Sequence, residues 1–287
     1  PAGDAEFMVE TARKMYHEIS PETGEFIDFM IDHQLMDLEN KPGKASTGYM
    51  TSLPSLKAPF VFSCFNHTIF DMQVLTHELG HAFAGYMAMR SQPISDYYSE
   101  TTDIAEIHSM SMEQFAYPYA QWFFGDQADK FRFAHLQEAL TFVPFGVAVD
   151  EFQHICYANP QLTPKERTYQ WRLLEEKYMP WRKYDNDAFM ERGGYWYHKL
   201  HIYLYPFYYI NYTLTTMGAM EFKKKYAEDK AAAWQDYLNL CKTGGSRSYL
   251  ETLRYANLAN PFEAGSVARA CGYAEDILLR QLAEQEK

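Results

Sequence analysis

The sequence predicts a mostly α-helical domain with one short strand. Three observations carry that expectation. Apolar residues recur at helical spacing along most of the chain, one segment stands out as β-branched and aromatic enough for a strand, and a His-Glu-x-x-His motif sits mid-helix.

Between residues 4 and 40, Phe7, Met8, Met15 and Ile19 and then Phe26, Phe29, Met30 and Leu35 fall at helical spacing, broken at Ser20-Pro21. Residues 41–57 are rich in Gly, Pro, Ser and Thr and read as a loop or a short hairpin. Pro59–Phe65 is the strand. A helix is expected over Phe70–Met89, and another over Ser99–Phe124 with a break at Pro118. Residues 126–158 predict two helices joined near Phe142-Val143-Pro144.

Thr163-Pro164-Lys165-Glu166 combines a capping box with proline at the first helical position, starting a helix that reaches Tyr178. Gly193-Gly194 is a joint ahead of a tyrosine-loaded segment, Tyr195–Tyr212, and Gly244-Gly245-Ser246 separates the last helices. There is no internal repeat, low-complexity tract or composition shift, so residues 1–287 read as one helical domain.

The chain carries 38 acidic and 26 basic side chains, a formal charge of −12, which argues against nucleic acid as a partner because phosphate binding needs a basic face. Hydrophobic content of 47% excludes a disordered chain. No apolar run approaches the roughly 18 residues that span a bilayer, so no membrane association is expected. Cys64, Cys156, Cys241 and Cys271 are widely spread without a Cys-x-x-Cys pair, and free thiols in a cytoplasmic protein are the expectation. The first residue is proline, so the chain is expected to be a processed product or a fragment.

The motif that carries chemistry is His77-Glu78-Leu79-Gly80-His81. Histidines at i and i+4 lie one turn apart on one helix face, so both imidazoles can reach a single Zn²⁺. Glu78 is offset around the helix, near enough to take a proton from metal-bound water without ligating. A catalytic zinc needs a third protein ligand and one open position. Glu100, Asp103, Glu106 and Glu113 are available downstream, and Asp103, Glu106 and Glu113 share a helix face suited to one ligand with supporting carboxylates. Spacing leaves Glu100 and Glu106 both open.

With Gly43-Lys44-Ala45, Pro59-Phe-Val-Phe, Asn66, Asp71, Thr76 through Ala82, Ala105-Glu106-Ile107, Ser109 and Glu113, the sequence resembles the thimet-oligopeptidase family of zinc peptidases, in its oligoendopeptidase F branch. Asp150-Glu151-Phe152-Gln153 and the helix from Trp171 to Tyr178 also resemble that branch, and the likeness covers roughly residues 40–270. The resemblance implies a helical zincin-like catalytic domain with a short strand or small sheet beside the active site. It implies one zinc per chain held by His77, His81 and Glu106, the glutamate 25 residues beyond the second histidine (106 − 81). It further implies Glu78 as general base, Asp103 as a hydrogen-bond partner of a ligand histidine, and short peptides as substrates.

The family's His-Phe-Tyr and Pro-Phe-Tyr pattern implies that His201, Tyr208 and Tyr212 face the metal and stabilise an oxyanion. Ile202 replaces the usual aromatic, and Tyr205 and Tyr209 compete for the tyrosine roles. Several of these tyrosines are expected simply to pack. Family members are about twice as long, so this chain is expected to be the catalytic part, lacking an N-terminal helical region or separate chain that would complete a substrate channel.

The Phe60–Phe65 strand would offer backbone hydrogen bonds to a peptide if it lay at a sheet edge; a buried strand is the other reading. Two further alternatives stand. A di-iron carboxylate protein would use Glu78/His81 and Glu151/His154 with Glu106 and Glu113. A non-catalytic remnant would bind zinc or peptide without turnover, but such a remnant has no need of a base, and the intact Glu78 argues against it.

Overall fold

The structure, a computed structural model, describes residues 2–45 and 47–285. Helices α1 (Ala5–Ile19) and α2 (Pro21–Asp32) meet at Ser20, whose extended backbone ends one helix and whose hydroxyl caps the next by accepting from the Thr23 amide at 3.1 Å. Proline at the first position of α2 forbids continuation of α1 but suits a helix start.

Three strands follow: β1 (Met36–Glu39), β2 (Tyr49–Leu53) and β3 (Ala58–Phe65). Their order is β1-β3-β2, with β1 parallel and β2 antiparallel to β3. The glycine- and serine-rich stretch therefore does form a hairpin arm, β2, which a turn at Pro54–Lys57 returns onto β3. The expected strand is the central one, so its backbone is occupied on both sides and the reading of it as an edge is wrong. The edges belong to β1 and β2, and β2 is too short and too polar for periodicity alone to reveal it.

Asp71 turns the chain from β3 into α3 (Phe70–Ser91): its carboxylate accepts from the amides of Asn66 at 3.0 Å and His67 at 2.8 Å. Then come α4 (Thr102–Phe115), a 3₁₀ turn at Tyr117–Tyr119 holding Pro118, and α5 (Ala120–Phe124), so the break expected at Pro118 is present. Helix α6 (Ala128–Ala158) runs unbroken through Pro144, where two helices were expected. Burial on both sides of the proline, by Phe131 and Leu136 before it and Phe145, Val149 and Phe152 after it, outweighs the one lost backbone hydrogen bond.

Helix α7 (Pro164–Tyr178) starts with the capping box read from the sequence. The last five helices are α8 (Leu200–Leu204), α9 (Ile210–Glu228), α10 (Lys230–Thr243), α11 (Tyr249–Tyr255) and α12 (Ser266–Gln285).

The main core joins α1–α5 and the sheet to α9, α10 and α11 through Tyr16, Phe26, Phe83, Phe115, Phe222 and Tyr237. A second, aromatic core under α6 and α7 gathers Phe145, Phe152, Trp171, Trp196 and Tyr209. Among the described residues no helix is long and apolar enough to cross a membrane, and all four cysteines are free thiols.

Candidate active site

Helix α3 is buried on nearly all sides because its residues are apolar around most of its circumference; only a narrow face carrying His77 and His81 opens to a cavity. Helix α4 packs directly against it. Gly80 makes this approach possible, since a β-carbon there would lie 2.7 Å from Ser109 Cα and 3.0 Å from the His108 carbonyl oxygen. The close crossing delivers Glu106 to the histidines: its Oε2 is 3.0 Å from His77 Nε2 and 3.2 Å from His81 Nε2. These three side chains are the one group of His, Cys, Asp and Glu among the described residues that converges tightly enough to hold a metal ion.

Two nitrogens and one carboxylate oxygen, leaving room for a further ligand, fit a catalytic zinc site. Burial opposes ionisation of Glu106, but hydrogen bonds to His77 and His81 hold its carboxyl well below the usual carboxylate range. Burial likewise disfavours a charged His77 ring, yet Glu106 and Glu113 outweigh it and raise the ring well above its ordinary value. The Ser109 hydroxyl donates to Glu106 Oε2 at 2.9 Å and so orients that carboxylate.

Behind His77 stands Glu113, whose Oε1 accepts from His77 Nδ1 at 2.6 Å. In the neutral ring that hydrogen bond keeps the proton on Nδ1, so that Nε2, aimed at the cluster, is free to act as a metal ligand. Glu113 lies two turns beyond Glu106 on α4 and thus under the same face. Asp103, expected in this role, instead accepts from the Thr101 hydroxyl at the start of the helix. It sits in the first turn of α4, one turn before Glu106, and its carboxylate is engaged there. Glu100 lines the same cavity, but its carboxylate is engaged 3.2 Å from Nδ1 of the buried His108 and stays outside the cluster.

Glu78 is buried, with Oε2 lacking any hydrogen-bond partner. Burial raises its carboxyl above the usual range, and the nearby histidines offset only part of that. Gly48, at the head of β2, presses against it: a β-carbon there would be 3.1 Å from Glu78 Oε1. Gly48, Tyr49, Met50 and Ser52 form one wall of a cavity of about 410 Å³, and His77, Glu78, His81 and Glu106 form its floor. β2, an edge strand of the sheet, is therefore the strand beside the cluster.

Of the three residues expected to face the metal from the tyrosine segment, Tyr212 lines this cavity. His201 and Tyr208 do not line it but pack beside Tyr212, with ring centroids 6.0 Å and 5.5 Å from that of Tyr212. Burial and its neighbours keep the Tyr212 hydroxyl protonated far above neutral pH. Tyr209 is buried in the aromatic core, and Tyr205 projects outward. The second Glu-x-x-His pair is nowhere near the cluster: Glu151 binds Lys177 and Tyr178, and His154 is exposed beside Asp150. The di-iron arrangement is thereby ruled out, because α6 presents that pair to solvent and not to α3.

Two helix-borne histidines, a glutamate from the next helix and a buried carboxylate with one unpartnered oxygen make up a candidate metal site of the His-Glu-x-x-His class. The sequence model of Peptidase family M3 matches residues 10–271, and the chain belongs to that family, in its oligoendopeptidase F branch. The oligoendopeptidase F homolog of Borreliella burgdorferi is 24% identical over 234 residues, covering 78% of this chain and 38% of the relative. A solved PZ peptidase A with an inhibitor superposes with a TM-score of 0.90 at 50% identity, covering 98% of this chain and 50% of that one. A crystal structure of a chain designated oligoendopeptidase F superposes with a TM-score of 0.89 at 51% identity, covering 97% of this chain and 49% of that one. The chain thus spans about half the length of these solved relatives, and less of the curated one.

Proposed function

We propose that this chain carries the centre of a zinc-dependent endopeptidase that hydrolyses peptide bonds in short oligopeptides. One observation supports it above the rest: His77, His81 and Glu106 converge on one point while Glu78, adjacent and buried, keeps an oxygen with no partner.

His77, His81 and Glu106 would hold one zinc ion per chain, which would supply Lewis-acid chemistry toward water and a carbonyl. Glu78 takes the proton from the attacking water. Burial has raised its affinity for that proton, which suits a general base. The edge of β2 holds an extended peptide by backbone hydrogen bonds, which tolerate many side chains. Tyr212 donates to the developing oxyanion, with Tyr208 and His201 packed beside it. Glu78 then returns the proton to the leaving amine.

A further N-terminal segment or separate chain would wall the other side of the cleft and keep bulky substrates out; a cytoplasmic location suits peptide turnover. Zinc content, together with cleavage of a quenched fluorescent peptide with and without chelator, tests the reading. Stoichiometric zinc and chelator-sensitive cleavage support it. Zinc with no cleavage would favour the non-catalytic remnant, and no zinc would sink both.

A further inference from the structure

Glu113 does not end at His77. Its second oxygen, Oε2, lies 2.6 Å from Nε2 of His135 on α6, and His135 Nδ1 lies 2.7 Å from the hydroxyl of Tyr117 in the 3₁₀ turn after α4. Glu113, His135 and Tyr117 are all buried, so these contacts do not compete with bulk water. The order of atoms dictates the donors. A nitrogen facing a carboxylate carries the hydrogen, so Nε2 of His135 donates to Glu113, leaving Nδ1 to accept from the Tyr117 hydroxyl.

Tyr117 is itself fixed: Arg132 Nε donates to its carbonyl oxygen at 2.9 Å, and the Lys223 ammonium sits 3.5 Å from the centre of its ring.

We propose that His135, held by Tyr117, is a positioning residue for the metal centre: it occupies the second oxygen of Glu113 and so keeps the first on His77 Nδ1. A carboxylate with one free oxygen could rotate, release His77, or swing toward the metal as an unwanted ligand. Held at both oxygens, by His77 from α3 and His135 from α6, it can do none of these. This inference rests on the zinc site proposed above.

The test measures zinc affinity by competition with a chromophoric chelator, alongside melting of the metal-free chain. His135→Phe removes both hydrogen bonds and should weaken zinc binding about tenfold or more, the usual cost of losing such an outer partner. His135→Gln keeps a donor toward Glu113 and should stay within a few-fold of the parent. In a Glu113→Ala background, His135→Phe should weaken zinc binding no further, because its effect passes through Glu113.

Parental zinc affinity in His135→Phe, or an equal loss in the Glu113→Ala background, overturns the proposal. If His135→Phe does not fold, Tyr117→Phe decides, since it removes one oxygen: several-fold weaker zinc supports the relay and unchanged affinity overturns it. A parent chain that binds no zinc overturns the zinc reading and this one together, whereas a parent that binds zinc alongside insensitive variants overturns this one alone.

Discussion

Gly80 and Ser109 touch backbone to backbone: a β-carbon on Gly80 would come within 2.7 Å of Ser109 Cα. That contact sets how closely α3 and α4 cross, and hence whether Glu106 reaches His77 and His81. Gly80→Ala should destabilise the fold by about 1–3 kcal/mol through overpacking, although alanine is the better helix former. It should also lower zinc occupancy. Denaturant midpoints and metal content on the same sample check both; a stable variant with full zinc would show that the helices can part without harm.

Glu78→Gln should keep zinc and lose kcat by about 10²–10⁴, because the amide cannot accept the proton that the carboxylate takes. Single-turnover cleavage with metal analysis measures it, and near-parental turnover would remove Glu78 from the mechanism.

Glu106→Ala should strip the site of metal, whereas Glu100→Ala should leave it loaded, since Glu100 is held beside His108 and outside the cluster. Zinc content after dialysis separates the two. The reverse pattern would mean that the third ligand has been misassigned.

Tyr212→Phe should lower kcat by up to about 10² with zinc retained, the effect of one lost oxyanion donor. Tyr208→Phe should cost clearly less, because Tyr208 supports Tyr212 without lining the cavity. Equal effects would place both hydroxyls at the reacting carbonyl.

Lys223 offers a pH test of stability. Burial, with Arg132 nearby, pushes its ammonium down from 10.5 to about 7. The unfolded chain therefore holds an extra proton between about pH 7 and 10.5, and this residue makes stability rise with pH across that window. Lys223→Met should raise the melting temperature most at or below pH 7, with the gain fading toward pH 10.5. A gain independent of pH would mean that the ring of Tyr117 fully compensates the buried charge.

Much of the helical frame is legible in the chain because its signals are local. Ser20-Pro21, the Thr163 to Glu166 capping box and the Gly244-Gly245 joint mark ends that the structure reproduces. Pro144 misleads because a proline's local cost says nothing about the apolar surface that α6 buries on either side of it. Strand β2 is hidden because it is short and half-polar, and it exists by pairing with β3.

The same division runs through the site. The sequence by itself determined that His77, Glu78 and His81 share one helix, with the histidines on one face, because a four-residue spacing is a property of the helix alone. Resemblance then pointed to Glu106, and the crossing of α3 and α4 brings it there. Only the tertiary structure decided that Glu113 and not Asp103 backs His77, that His135 and Tyr117 stand behind Glu113, that β2 owns the edge beside the cavity, and that Tyr212 comes forward while Tyr209 packs inside. Each of those depends on the distance and rotation at which separate elements pack. Such quantities come from the sum of many long-range contacts, and no window of sequence contains them.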